Sequence, residues 1–173
     1  MLNNIGGDRG MCSNKKTWTG YKVSEEDLSL VVNDVLNFRP VAVVGMPRTG
    51  KNKFIDILEY RLGKTIYINE RNRKVYEKYL SSKLDDELEL FVDMCEVKEC
   101  KAIIIDQIAH AESVDGILSL LNNKNVGVIV GAFKLEDLAV FGMSLDDFTI
   151  VKLDTERKGL HDSIEYTYEI IRN

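Results

Sequence analysis

"VVGMPRTGKNKF", residues Val43 to Phe54, decides how the rest of the chain is read. Gly45 and Gly50 frame Met46, Pro47, Arg48 and Thr49, and Lys51 follows at once, so the stretch satisfies G-x-x-x-x-G-K. The residue after the lysine is Asn52, where a serine or threonine hydroxyl is expected. Chemistry explains the spacing. Two glycines let the backbone curl until successive N–H groups point inward at phosphate oxygens, and the helix that follows turns its positive end toward the same anion. A lysine at this place reaches the outer phosphates. A glycine-rich turn with no ligand would also fit the letters, so the flanks decide. Upstream, "VAVVG" from Val41 is a short apolar run of mostly β-branched residues, as in a strand buried on both faces of a parallel sheet. Downstream, Phe54, Ile57, Leu58 and Leu62 recur at helical spacing up to Gly63. Strand, loop and helix together make Gly45 to Lys53 the expected phosphate-binding segment.

The same alternation runs outward from this unit. Before it, "SEEDLSLVVNDVLNF" places Leu28, Val31, Val32, Val35 and Leu36 on one helical face, with Ser24 and Asp27 as a capping box and Arg39-Pro40 as the stop. After it come a strand at Lys64 to Asn69 and two helical stretches, the second burying Leu84, Leu88, Phe91, Val92 and Cys95. A strand "AIIID" at Ala102 to Asp106, a helix with Val114, Ile117, Leu118 and Leu121, and a strand at Val126 to Phe133 follow. A short helix at Leu135 to Phe141, a strand at Phe148 to Leu153, and a terminal helix carrying Leu160, Ile164, Tyr168 and Ile171 complete the pattern. Strands joined by helical crossovers predict an α/β fold, a three-layer doubly wound sheet of five mainly parallel strands with right-handed connections. Residues 1–23, rich in Gly, Asn and Lys and without period, read as a flexible arm whose end Trp18 and Tyr21 would pin; residues 24–173 read as one domain.

A phosphate loop of this kind works with magnesium, and magnesium needs a carboxylate at the end of a neighbouring strand. Asp106, closing "AIIID", supplies it; an aspartate that only caps the next helix is the plainer alternative. One strand, Lys64 to Asn69, lies between the two motifs in sequence. With these residues in place, the chain resembles the additional-strand division of P-loop NTPases, and most closely the AAA-like ATPases of the archaeal ATPase and STAND group. The shared pattern is the capped helix, the strand, the loop, a helix ending in "LG", a "YI" strand, "IIID" and a late "GA" strand, and it spans Ser24 to Leu153. The "RTGK" tetrapeptide is also similar to that of viral superfamily-three replication helicases. The resemblance implies a P-loop core that binds ATP and Mg2+, with Asp106 as the Walker B aspartate and Asn52 and Asp106 as the metal-facing pair. It also implies hydrolysis at Lys51, Asp106 and the residue after it.

Three polar positions depart from that pattern. Asn52 offers an amide oxygen in place of a hydroxyl, on a longer side chain whose NH2 a cation repels. Gln107 stands where active members carry a glutamate, and a neutral amide orients water without accepting its proton. Gly131, Ala132 and Phe133 end the late strand where a polar γ-phosphate sensor is often found. His110 and Glu112 are nearby substitutes for the base, though each reads more simply as a loop residue. Arg48 faces phosphate, a subunit interface or solvent, and Arg71, Arg73 and Arg157 are candidates for an arginine acting in trans. The helical lid of the family is not expected here, because one predicted helix follows the fifth strand. The expected function is ATP binding with weak or conditional hydrolysis, against a non-hydrolysing or vestigial regulatory subunit acting through protein or nucleic-acid partners. A small-molecule kinase is disfavoured by the strand between the motifs.

Composition bounds these readings. The net charge of −5 over 173 residues argues against a dedicated polyanion binder, and no run is long and apolar enough for a membrane anchor or signal peptide. A cytoplasmic protein is expected, working as a homo-oligomer or with a protein partner. Cys12, Cys95 and Cys100 lack metal-site spacing and read as reduced thiols. "NERNRKVYEKYL", with Tyr76 and Tyr79, admits nucleic-acid contact but reads first as a solvated amphipathic helix, and His161 reads as a surface residue.

Overall fold

The computed structural model describes residues 15–18, 22–69, 99–108, 126–158 and 163–172. Seven strands form one sheet: β1 (Lys16–Thr17), β2 (Val41–Val44), β3 (Thr65–Ile68), β4 (Ala102–Ile105), β5 (Gly127–Ala132), β6 (Thr149–Lys158) and β7 (Ser163–Ile171). Their order across the sheet is β1-β7-β6-β2-β5-β4-β3. β3, β4, β5, β2 and β6 run parallel; β2, β4 and β5 are buried along their whole length because both faces are covered, whereas β3 alternates and β6 turns polar beyond Leu153. These are the five strands expected from sequence.

Alternate residues of these strands feed two cores. Val41, Val43, Ile104, Ile129 and Val151 turn to the face covered by α1 (Glu25–Leu36) and α2 (Lys51–Leu62), whose Val31, Val35, Phe54 and Leu58 pack there. Ala42, Val44, Ile103, Ile105 and Val130 turn to the other face, where the 3-10 segment Leu135–Phe141 contributes Leu138 and Phe141. The helices expected around Leu84–Cys95 and Val114–Leu121 lie outside the described residues.

Two expectations are corrected. The terminal helix is a strand: β7 pairs antiparallel with β6 from Ile150↔Ile171 to Lys158↔Ser163. The 4-4-3 spacing of Leu160, Ile164, Tyr168 and Ile171 competes with a period of two in "SIEYTYEII". Period two prevails because it puts Tyr166, Tyr168 and Ile170 together against the α1/α2 core. The sheet therefore extends beyond its parallel five by β7 and β1, both joined through antiparallel pairing, with β7 alone running opposite to the five. The second correction follows from the first. The end of the expected N-terminal arm is sheet, since Lys16 pairs with Tyr168, Thr17 with Thr167, and Trp18 is buried. The pinning by Trp18 was expected; the strand was not, because two residues carry no period.

Side chains lock this added edge to α1. Ser24 Oγ accepts from the Asp27 N–H (3.2 Å), as a capping residue does. The return half of the expected box is absent among the described contacts: Asp27 instead accepts from Tyr168 Oη (2.8 Å) and Lys16 Nζ (2.6 Å). At the opposite end of α1, buried Asp34 accepts from Thr149 Oγ1 (2.6 Å) and Arg172 Nη2 (2.9 Å), fixing the start of β6.

Candidate functional site

The loop between β2 and α2 is held in a tight curl by its own residues. The Gly45 N–H donates to the Ala132 carbonyl (3.1 Å), and Thr49 bonds back to the Met46 carbonyl through Oγ1 (2.8 Å) and N–H (3.2 Å). A Cβ at Gly45 would lie 2.4 Å from Thr49 Oγ1 and 3.1 Å from Leu153 Cβ, so the curl closes only over glycine. Arg48 (φ 70°) and Gly50 (φ 90°) are left-handed, and Gly50 begins α2 without a side-chain cap. The unpaired N–H groups of the first turn of α2 and the helix dipole thus face the space inside the loop.

That space is a cleft of about 430 Å³. Met46, Pro47, Arg48, Gly50, Lys51, Asn52 and Lys53 line one side; Gln107 and Phe133 line the other. The sequence-predicted set is therefore brought together, with Gly45 and Thr49 shaping the turn beneath it. Asn52 and Lys53 are exposed, while Lys51 is only 6% exposed. The Lys51 ammonium lies 3.5 Å from Asp106 Oδ1 and 4.4 Å from the centre of the Phe133 ring, with no hydrogen bond to any described residue. Asp106 is buried. It accepts from the Gln107 N–H through Oδ1 (2.9 Å) and from Tyr67 Oη through Oδ2 (3.3 Å). Burial, and then the Asp106 charge, push the Tyr67 hydroxyl well above its ordinary pKa.

The strand expected between the two motifs in sequence is there, and its place in the sheet is a separate matter. β3 follows α2 in sequence, yet it borders β4 on the far side; the strand lying between β2 and β4 is β5. This placement gives β5 a role at the site that the sequence reading missed. A Cβ at Gly131 would sit 2.4 Å from Asp106 Oδ1 and 3.2 Å from its Cα. Gly131 and Phe133, read from sequence as a lost sensor, are the floor under Asp106 and the ring over Lys51. Tyr67 was missed as well, and only an Asp106-facing period in β3 would have signalled it. Gln107 is left-handed (φ 56°), a conformation that strains a residue with a Cβ and that no sequence pattern announces. Gly131→Ala is expected to displace the Asp106 carboxylate and destabilise the domain by about 1–3 kcal/mol. Chemical denaturation checks this, and an unchanged midpoint would contradict the packing described.

Arg157 is exposed on β6, in the part of the β6/β7 ribbon that continues past the end of β2. Arg71, Arg73, Tyr76, Tyr79, His110, Glu112, His161, Cys12 and Cys95 lie outside the described residues. Among the described residues no group of three or more His, Cys, Asp and Glu is placed to hold a metal ion, and no helix is long and apolar enough to cross a membrane.

Comparison with known proteins adds the fold. No family model matches the chain, and no curated protein matches it by sequence. Among solved structures, it is similar to the flagellar accessory protein FlaH from Methanocaldococcus jannaschii. The TM-score is 0.52 at 14% identity, over 87% of this chain and 86% of that one. At this identity the likeness speaks for the fold alone. With the strand, loop and helix at Val41–Leu62, it supports for this chain the α/β fold of that protein.

Proposed function

We propose that this chain binds a nucleoside triphosphate, ATP, in the cleft above Gly45–Lys53 and turns it over slowly. One observation carries the reading: a buried lysine ammonium without a hydrogen bond, held at the floor of a loop whose backbone donors face the same space. The Asp106 carboxylate 3.5 Å away offsets part of the cost of burying this cation but leaves its N–H donors without acceptors. Phosphate oxygens would supply the missing acceptors for Lys51, with Arg48 and Lys53 adding charge at the rim and the α2 N-terminus adding its dipole. The residues present fit a polyphosphate well.

They fit a resident metal less well. Asn52 and Asp106 are the residues a magnesium ion carried by the phosphates would meet, where it would offset charge between the outer phosphates. Asn52 brings a neutral amide, and Asp106 already accepts from two protein donors beside a lysine. No step of the reading is routed through the metal.

Slow turnover follows from Gln107. It sits at the cleft wall beside Asp106, where a carboxylate would accept a proton from attacking water, and its amide has no such capacity. Gln107→Glu is expected to raise steady-state phosphate release by about 10- to 100-fold over wild type. A wild-type turnover near the ~10 s⁻¹ common among enzymes would overturn the slow-turnover reading. Retained ATP binding with no release by either protein would instead favour the non-hydrolysing regulatory subunit.

A further inference from the structure

Resting on the nucleotide reading above, we infer that this cleft binds its nucleotide without needing a divalent cation. Magnesium demands near-octahedral oxygen ligands, keeps several waters, and is tied to protein through one or two carboxylates. Among the described residues at the cleft, Asp106 is the one carboxylate. An ionised carboxylate offers about four lone-pair sites. The Gln107 N–H takes one on Oδ1, the Lys51 ammonium stands 3.5 Å from the same oxygen, and the Tyr67 hydroxyl takes one on Oδ2. A metal-bound water would approach Asp106 as a donor, and with Gln107 and Lys51 at Oδ1 it would have to share Oδ2 with the Tyr67 hydroxyl. Gly131 closes the side of Oδ1, where even a methyl group would come within 2.4 Å.

Nucleotide binding would draw Lys51 toward phosphate but would leave the Tyr67 and Gln107 donors in place. Asp106 stays engaged in either state. On the other side of the cleft the hydroxyl that would ligate the ion directly is absent, and exposed Asn52 presents an amide whose NH2 group repels a cation. The work usually done by the ion, offsetting the charge of the phosphates, passes to Arg48, Lys51 and Lys53, three cations around one cleft.

Calorimetric titration of the full chain with ATP, once in excess magnesium chloride and once in EDTA with no divalent ion, tests this directly. The two dissociation constants are expected to agree within about threefold. Asn52→Thr, which restores the hydroxyl at an exposed helix position, is expected to bind at least tenfold tighter in magnesium than in EDTA. Wild-type binding that weakens more than tenfold in EDTA would overturn the inference while leaving nucleotide binding intact. An Asn52→Thr chain that stays indifferent to magnesium would overturn the role given to Asn52. No heat in either buffer would remove the nucleotide reading itself and this inference with it.

Discussion

Lys51→Ala is expected to weaken ATP binding by about 100-fold or more while the domain stays folded. The ammonium is buried, aimed into the cleft and without a hydrogen bond, so it is the group with most to gain from a phosphate. Two charge-assisted hydrogen bonds at roughly 1.5–3 kcal/mol each exceed the ~2.8 kcal/mol that a hundredfold change requires. Its contribution to the unliganded fold is smaller. The attraction to Asp106 and the Phe133 ring, the latter about 0.5–2 kcal/mol, is set against the desolvation of an ammonium that donates to nothing. Removal leaves Asp106 with the Tyr67 and Gln107 donors, so the carboxylate is not stranded. Lys51→Met, which keeps the apolar stem, should melt within a few degrees of wild type and bind as poorly as Lys51→Ala. Calorimetry paired with thermal melts reads both effects. Wild-type affinity in either variant would place the phosphates elsewhere.

How far the sequence led depends on whether a feature is periodic. The five parallel strands were legible because each is a short apolar run between helical segments, and the loop was legible because its letters are set by backbone geometry. β7 was not, because "SIEYTYEII" satisfies a helical and an alternating period at once, and only the α1/α2 core selects between them. The position of β5 between β2 and β4 is a matter of crossover order, which spacing along the chain does not encode.

Around the cleft, the residues of the loop, Asp106 and Gln107 were singled out by motif, and the fold brings them together. Tyr67 was missed, and the packing roles of Gly131 and Phe133 were not foreseen, because they come from strands that meet Asp106 across the sheet. The reading of "GAF" as a lost sensor treated these positions as deletions of polar chemistry. In the fold they have positive tasks: Gly131 makes room for a carboxylate, and Phe133 covers a cation with its π face. The amides at Asn52 and Gln107 are accompanied by packing around Lys51 and Asp106 that holds these two together.

Trp18→Ala is expected to destabilise the domain by about 3–5 kcal/mol, the range for removing a buried aromatic from a core that relaxes only partly. Trp18 is 1% exposed although it lies within the segment that composition marks as an arm. Its ring meets Phe54 of α2 (centroids 5.8 Å), Tyr166 (6.5 Å) and Tyr168 (6.4 Å) of β7, and its backbone N–H donates to the Tyr166 carbonyl (3.0 Å). One side chain thus joins β1, the antiparallel edge and the helix that starts at the phosphate loop. Against a total stability of roughly 5–15 kcal/mol, the loss is a large fraction, equivalent to about 6–20 °C in melting temperature at this size. The effect should reach the cleft only in part. Phe54 lies three residues beyond Lys51, so loosening it frays the first turn of α2 while the Gly45–Thr49 curl keeps its own hydrogen bonds. ATP affinity is expected to fall less than tenfold in Trp18→Ala, and Trp18→Phe should recover about half of the stability. Denaturant midpoints for the three proteins measure this. A Trp18→Ala chain as stable as wild type would return residues 15–18 to the status of an arm, whereas the predicted loss would make them part of the domain whose loop they brace.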